Sequence, residues 1–126
     1  MTLMDYDEGH LEEREVQHVE ECYVFRDKPT ITWINIEGVH QADVIEKLGS
    51  HYGLHPLLQE DIMNTQQRPK IEDFEDYLFM VLKALYIEDG LVKSEQVSII
   101  LGKNFVISFQ ETRDSVFDGI RERVRG

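Results

Sequence analysis

A single cysteine, Cys22, leaves the chain without a partner for an internal disulfide, and a lone thiol is compatible with a reducing cytosol. No run approaches the roughly 20 consecutive apolar residues that a membrane-spanning helix needs. The opening stretch MTLMDYDEGHLEEREV is acidic and has no apolar h-region, so it does not read as a signal peptide. Basic residues are scarce: 13 Lys and Arg face 25 Asp and Glu, a formal net charge of −12. A surface of that sign repels phosphate backbones and anionic lipid and attracts cations, so no nucleic-acid partner is expected. A nucleophile elbow, a Gly-rich phosphate loop and a cysteine pair are all missing, and nothing fixes two carboxylates at a defined separation. The expectation is therefore a protein that is not an enzyme and takes no organic cofactor.

What is present suits one soluble domain. The chain has 126 residues, 41% hydrophobic and 30% charged, enough for a single modest core. Residues 1–13 read as poorly ordered, and EVQHVEECYVF (15–25) as a weak first strand, so residues 1–29 form a segment of undetermined role. TITWINIEG (30–38) is β-branched and aromatic, follows Pro29 and stops at Gly38, which predicts a strand. QADVIEKLGSHYG (41–53) spaces Val44, Ile45, Leu48 and Tyr52 as a helix does, with Gly53 as its cap. A short helix follows from Pro56 to about Met63, and Pro69 keeps Arg68 out of helical geometry. YLFMVLKALYI, EQVSIIL and FVISFQ then predict three strands in an antiparallel meander, with turns at EDG (88–90) and GKN (102–104). DSVFDGIRERVRG predicts a last helix with Asp114 as N-cap and Phe117, Ile120 and Val124 on one face. The fold class is α/β, a mixed parallel and antiparallel sheet covered by helices over residues 30–126.

Three features invite chemistry. His51 and His55 stand four apart, a metal-binding spacing on one helix, but Gly53 and Pro56 interrupt that helix, which points to surface or capping roles. His40, beside Gly38, reads as a loop or cap residue. PKIEDFEDY (69–77) is an acidic cluster that reads as a solvated turn of helix entering a strand, or else as a cation-attracting patch. The third feature is Asp61. At about 100° per residue it falls between Leu57 and Leu58, inside the apolar arc of the short helix, with Glu60 at the arc's edge. A buried carboxylate needs a partner. Arg68 or Lys70 folding back, a donor from a neighbouring subunit, or a divalent cation held with Glu60 would each serve.

TWINIEGVH, HYGLHPLLQEDIMNTQQRPKIEDFEDYLFMVLKALY, SEQVSIILGKNFVISFQE and VFDGIRERVR, in that order and spacing, resemble the N-terminal cytoplasmic domain of the CorA magnesium transporters. The likeness runs from about Thr32 to Arg125. It implies a funnel-type α/β domain of a homopentameric Mg2+ and Co2+ channel, on the cytoplasmic side of the plasma membrane. It also implies divalent ions between neighbouring domains that hold the pore closed. The family's acidic stretch matches QEDI here, so Asp61 becomes the principal metal ligand and Glu60 an accessory one. Mg2+, with Co2+ as an alternative, is then both regulatory and transported. The family's Gly-Met-Asn pore signature and its partner acids are not in this chain. The expectation is a soluble sensor fragment, incomplete at its C-terminus, that meets the membrane only through parts it lacks. The competing reading is an acidic protein-interaction module that docks through the Leu57–Ile62 face and senses no metal.

Overall fold

The computed structural model describes residues 1–38, 42–111 and 117–125. One seven-stranded sheet organises them, in the order β2-β1-β3-β7-β6-β5-β4. The strands are β1 (Thr2–Asp7), β2 (His10–Glu15), β3 (Ile31–Glu37), β4 (Lys70–Asp73), β5 (Leu78–Glu88), β6 (Leu91–Leu101) and β7 (Phe105–Gln110). Every neighbouring pair is antiparallel except β3 and β7, which run parallel, so the sheet is mixed as expected. The helices are α1 (Ala42–Tyr52), α2 (Pro56–Met63) and α3 (Asp118–Arg125). His40 and Asp114 lie outside the described residues.

Three stretches differ from the sequence reading. Residues 1–13 were expected to lack order; they form the β1–β2 hairpin, with β1 also paired to β3. Their charge is carried by an edge: Leu3 and Met4 are buried in β1, whereas β2 shows most of its side chains to water. Residues 15–25, expected as a strand, contain a 3-10 helix at Val19–Phe25. Val16, Val19, Cys22 and Phe25 are all buried. A spacing of three is the period of that helix, whose side chains eclipse at every third residue. Burial also pushes the Cys22 thiol up to about 11, with Glu21 nearby adding to the shift, so this thiol stays protonated and unreactive. The acidic cluster at 69–77 is not helical: it contains β4, an edge strand whose exposed and half-buried residues alternate.

Side chains alternate across the sheet and build two cores. On one face α1, α2 and the 3-10 helix cover Leu3, Ile34, Ile36, Phe79, Ile100, Ile107 and Phe109. On the other, Met4, Trp33 and Val97 meet Phe117, whose ring stands edge-on to Trp33 at 5.4 Å. The β5–β6 turn is the EDG signal: Asp89 and Gly90 both have positive φ, 52° and 74°, the handedness a two-residue hairpin loop demands. A Cβ added at Gly90 meets nothing within 4 Å, so only the backbone resists substitution there. Gly90→Ala is expected to cost about 1 kcal/mol, or about 4 °C of melting temperature. Gly9 sits in the β1–β2 turn with equal space and no positive φ, and Gly9→Ala should leave the melting curve nearly unchanged. Thermal melts of both variants, side by side, check the difference.

Candidate cation site on helix α2

Helix α2 starts where Pro56, in its first turn, needs no N–H partner. His55 caps it: the ring Nδ1 accepts the Leu57 N–H at 3.1 Å, and the His55 backbone N–H donates to the Tyr77 hydroxyl at 2.9 Å. The far end is closed by the Asn64 N–H, which donates to the Asp61 carbonyl at 3.1 Å. The Gln67 side-chain amide reaches that same carbonyl at 2.6 Å. Pro69 then releases the chain into β4, which brings Lys70 back to Asp61.

Asp61 does not sit inside the buried arc. Leu58 and Ile62 are fully buried, but Leu57 is 63% exposed, so the apolar stripe is narrower than the helical wheel suggests. Asp61 occupies its margin, with a side chain 36% exposed. Its Oδ2 accepts from Lys70 Nζ at 2.8 Å. Of the partners the sequence left open, this is the fold-back ion pair, made by Lys70. The same ammonium lies 2.7 Å from Glu72 Oε1 as a charge contact outside hydrogen-bond geometry. Asp61 first, and Glu72 second, raise the Lys70 pKa above the ordinary lysine range. Below the ammonium is the Phe79 ring, its centre 5.7 Å from Nζ. An ion pair this open to water contributes at most about 1 kcal/mol.

Glu60 is exposed, and side chains at adjacent helical positions diverge by about 100°. The two carboxylates therefore point apart and do not converge within one chain. Among the described residues, the set of three ligating side chains that converges is Asp5, His10 and Glu12, and it includes neither Glu60 nor Asp61. Sequence reading passed over that set, although its acids and histidine alternate about the Glu8-Gly9 turn, which places them on one face of a hairpin. His51 and His55 are engaged separately. His51 Nε2 lies 2.9 Å from the Tyr23 carbonyl and its ring stacks on Tyr23 at 4.1 Å, while His55 is spent as a cap. The cluster at 69–77 borders an open cleft of about 790 Å³ that Asp73 and Asp76 share with Arg26 and Lys103, so the patch is mixed in sign.

A family profile described as "CorA-like Mg2+ transporter protein" matches residues 28–126. The chain is 48% identical over 127 aligned residues to the cobalt/magnesium transport protein CorA of Thermotoga maritima, a match covering 99% of this chain and 36% of that protein. It therefore spans about a third of the length of the curated relatives it matches. In fold it is similar to the soluble domain of CorA from Methanocaldococcus jannaschii, at a TM-score of 0.65 and 14% identity over 98% of this chain and 46% of that one. It is likewise similar to the ZntB cytoplasmic domain from Vibrio parahaemolyticus, at a TM-score of 0.70 and 11% identity, covering 99% of this chain and 49% of that one.

Proposed function

The chain belongs to the CorA-like Mg2+ transporter family, and from that premise we propose that it is the cytoplasmic domain with which such a transporter senses divalent cations. Asp61 is the principal ligand and Glu60 assists, directly or through water. Mg2+ keeps several of its waters and accepts few protein oxygens, so these two acids and one or two from a neighbouring copy complete the site. The assembly is a homopentamer on the cytoplasmic side of the plasma membrane, and Mg2+ or Co2+ is both cargo and regulator. An ion that prefers the closed interface stabilises it, and its departure frees the subunits to move apart.

The observation that carries this reading is the position of Asp61. A carboxylate stands at the margin of an apolar helix face, beside a leucine left 63% exposed, and is neutralised by a half-exposed lysine. That pair is weak enough to exchange. A divalent ion at Oδ2 would displace the Lys70 ammonium toward Glu72, its second acid, so the lysine loses little.

Thermal melting with and without millimolar Mg2+ tests it, in this chain and in parallel in the full-length oligomer. The ion should raise the melting temperature of the wild type and leave Asp61→Ala unmoved, since binding to the native state alone stabilises it. Lys70→Met should respond at Mg2+ concentrations lower by about tenfold, because a charge-assisted hydrogen bond no longer competes for Oδ2. Equal shifts in wild type and Asp61→Ala would reject the assignment. The exposure of Leu57 also favours the interaction-module reading. Sedimentation separates the two: a partner-docking module stays monomeric and indifferent to cations.

A further inference from the structure

We propose that Asp5, His10 and Glu12 form a second cation site, within a single chain, that selects a zinc-class ion rather than Mg2+. Asp5 and Glu12 are directly paired across the β1–β2 hairpin, and His10 follows the turn opposite Asp7, so the three side chains share one face of the ribbon. One ligand atom from each lies within 4.8 Å of the others.

The decisive group is Asp5. Its side chain is 2% exposed, a costly place for a carboxylate in a chain already this acidic. Oδ1 is fixed by the hydroxyls of Thr30 and Thr32, which donate to it at 2.5 and 2.8 Å. Those bonds leave Oδ2 turned toward the hairpin face. There its neighbour is His10 Nε2 at 3.6 Å, too far for a hydrogen bond. That separation does match the spacing of two ligand atoms about a tetrahedral ion with bonds of about 2.1 Å, which is roughly 3.4 Å. Glu12 supplies the third ligand from the edge strand, and solvent water would supply the fourth. Its present partner is the Arg14 guanidinium, which also lies over the Phe25 ring at 5.3 Å and keeps that support when Glu12 turns to an ion.

Ligand type sets the selectivity. Imidazole nitrogen with two carboxylates suits Zn2+ and its chemical equivalents Co2+ and Ni2+, whereas Mg2+ prefers an all-oxygen octahedron and sheds water reluctantly. The site is independent of Asp61 and of the oligomer. One chain would therefore carry two cation responses of different chemistry, one completed by a neighbour and one complete in itself.

Calorimetric titration of Zn2+ into the folded chain, with the histidine ring signals followed by NMR, tests this. We expect one Zn2+ bound per chain, with the His10 ring signals moving as it binds, and no displacement by excess Mg2+. His10→Gln and Glu12→Gln, both on the exposed edge strand, should each weaken Zn2+ binding by about tenfold or more, while Asp61→Ala leaves it intact. Unchanged Zn2+ affinity in His10→Gln, a still His10 ring, or displacement by Mg2+ would each overturn the proposal.

Discussion

Phe79→Ala is expected to lower the melting temperature by about 10–20 °C, the largest loss from any single truncation near Asp61. The ring is fully buried in β5, between Glu72 of β4 and Ile100 of β6, and belongs to the same core as Leu58 and Ile62 of α2. Deleting it removes its transfer free energy and leaves a void that a pleated sheet cannot close by sliding. Buried Phe-to-Ala changes cost about 3–5 kcal/mol for these two reasons. The same ring supports the Lys70 ammonium, so the loss also loosens the Asp61–Lys70 pair. Leu85→Ala is the control: Leu85 is on the same strand but 72% exposed, and it should cost under about 0.5 kcal/mol. Circular dichroism melts decide it, and a Phe79→Ala shift no larger than that of Leu85→Ala would mean that the core is not held where this fold places it.

The parts of the fold that could be read in advance are those where local chemistry and tertiary demand agree. The Asp89-Gly90 turn announces its hairpin, because only such residues take positive φ cheaply. Gly53, with φ of 72°, ends α1 as its position after Tyr52 suggests. The hidden parts are those where pairing overrides composition. HLEERE carries no strand propensity worth the name, yet as β2 it needs only one partner, and as an edge strand it keeps its charges exposed or half-buried. Lys70–Asp73 is legible as a strand only once β5 is in place to receive it. Asp61 shows both effects. The wheel found the helix but set Asp61 inside its apolar arc; the width of the buried stripe depends on what α2 packs against, and Leu57 turns out to face solvent, which leaves Asp61 at the margin. Asp5 could not be singled out without knowing that Thr32 of β3 and Thr30 just before that strand, both remote in sequence, would bind one oxygen and leave the other.

Asn35→Ala should cost about 2–4 kcal/mol and lower the melting temperature by about 8–15 °C, although it removes no large side chain. Asn35 is the middle of a buried polar ladder that ties β3 to its parallel neighbour β7. The Trp33 indole N–H donates to Ser108 Oγ at 2.9 Å, the Ser108 hydroxyl donates to Asn35 Oδ1 at 2.7 Å, and the Asn35 amide donates to Gln110 Oε1 at 2.8 Å. Asn35, Ser108 and Gln110 are each about 1% exposed or less. Truncation leaves Ser108 without this acceptor and Gln110 without this donor, and water does not reach them to compensate. The ladder also fixes register. Asn35 faces Ser108 in the parallel pairing, and a slip of one residue would set it against Ile107 or Phe109 instead. Asn35→Asp separates the hydrogen bond from simple volume. A protonated carboxyl at that position can still donate to Gln110; an ionised one cannot, and burial disfavours its charge. Its folded pKa is therefore raised, so the variant should approach wild-type stability below the ordinary aspartate pKa and lose it progressively as pH rises from there to the raised folded pKa. A flat pH profile for Asn35→Asp, relative to wild type, would place the stabilisation in packing rather than in the ladder.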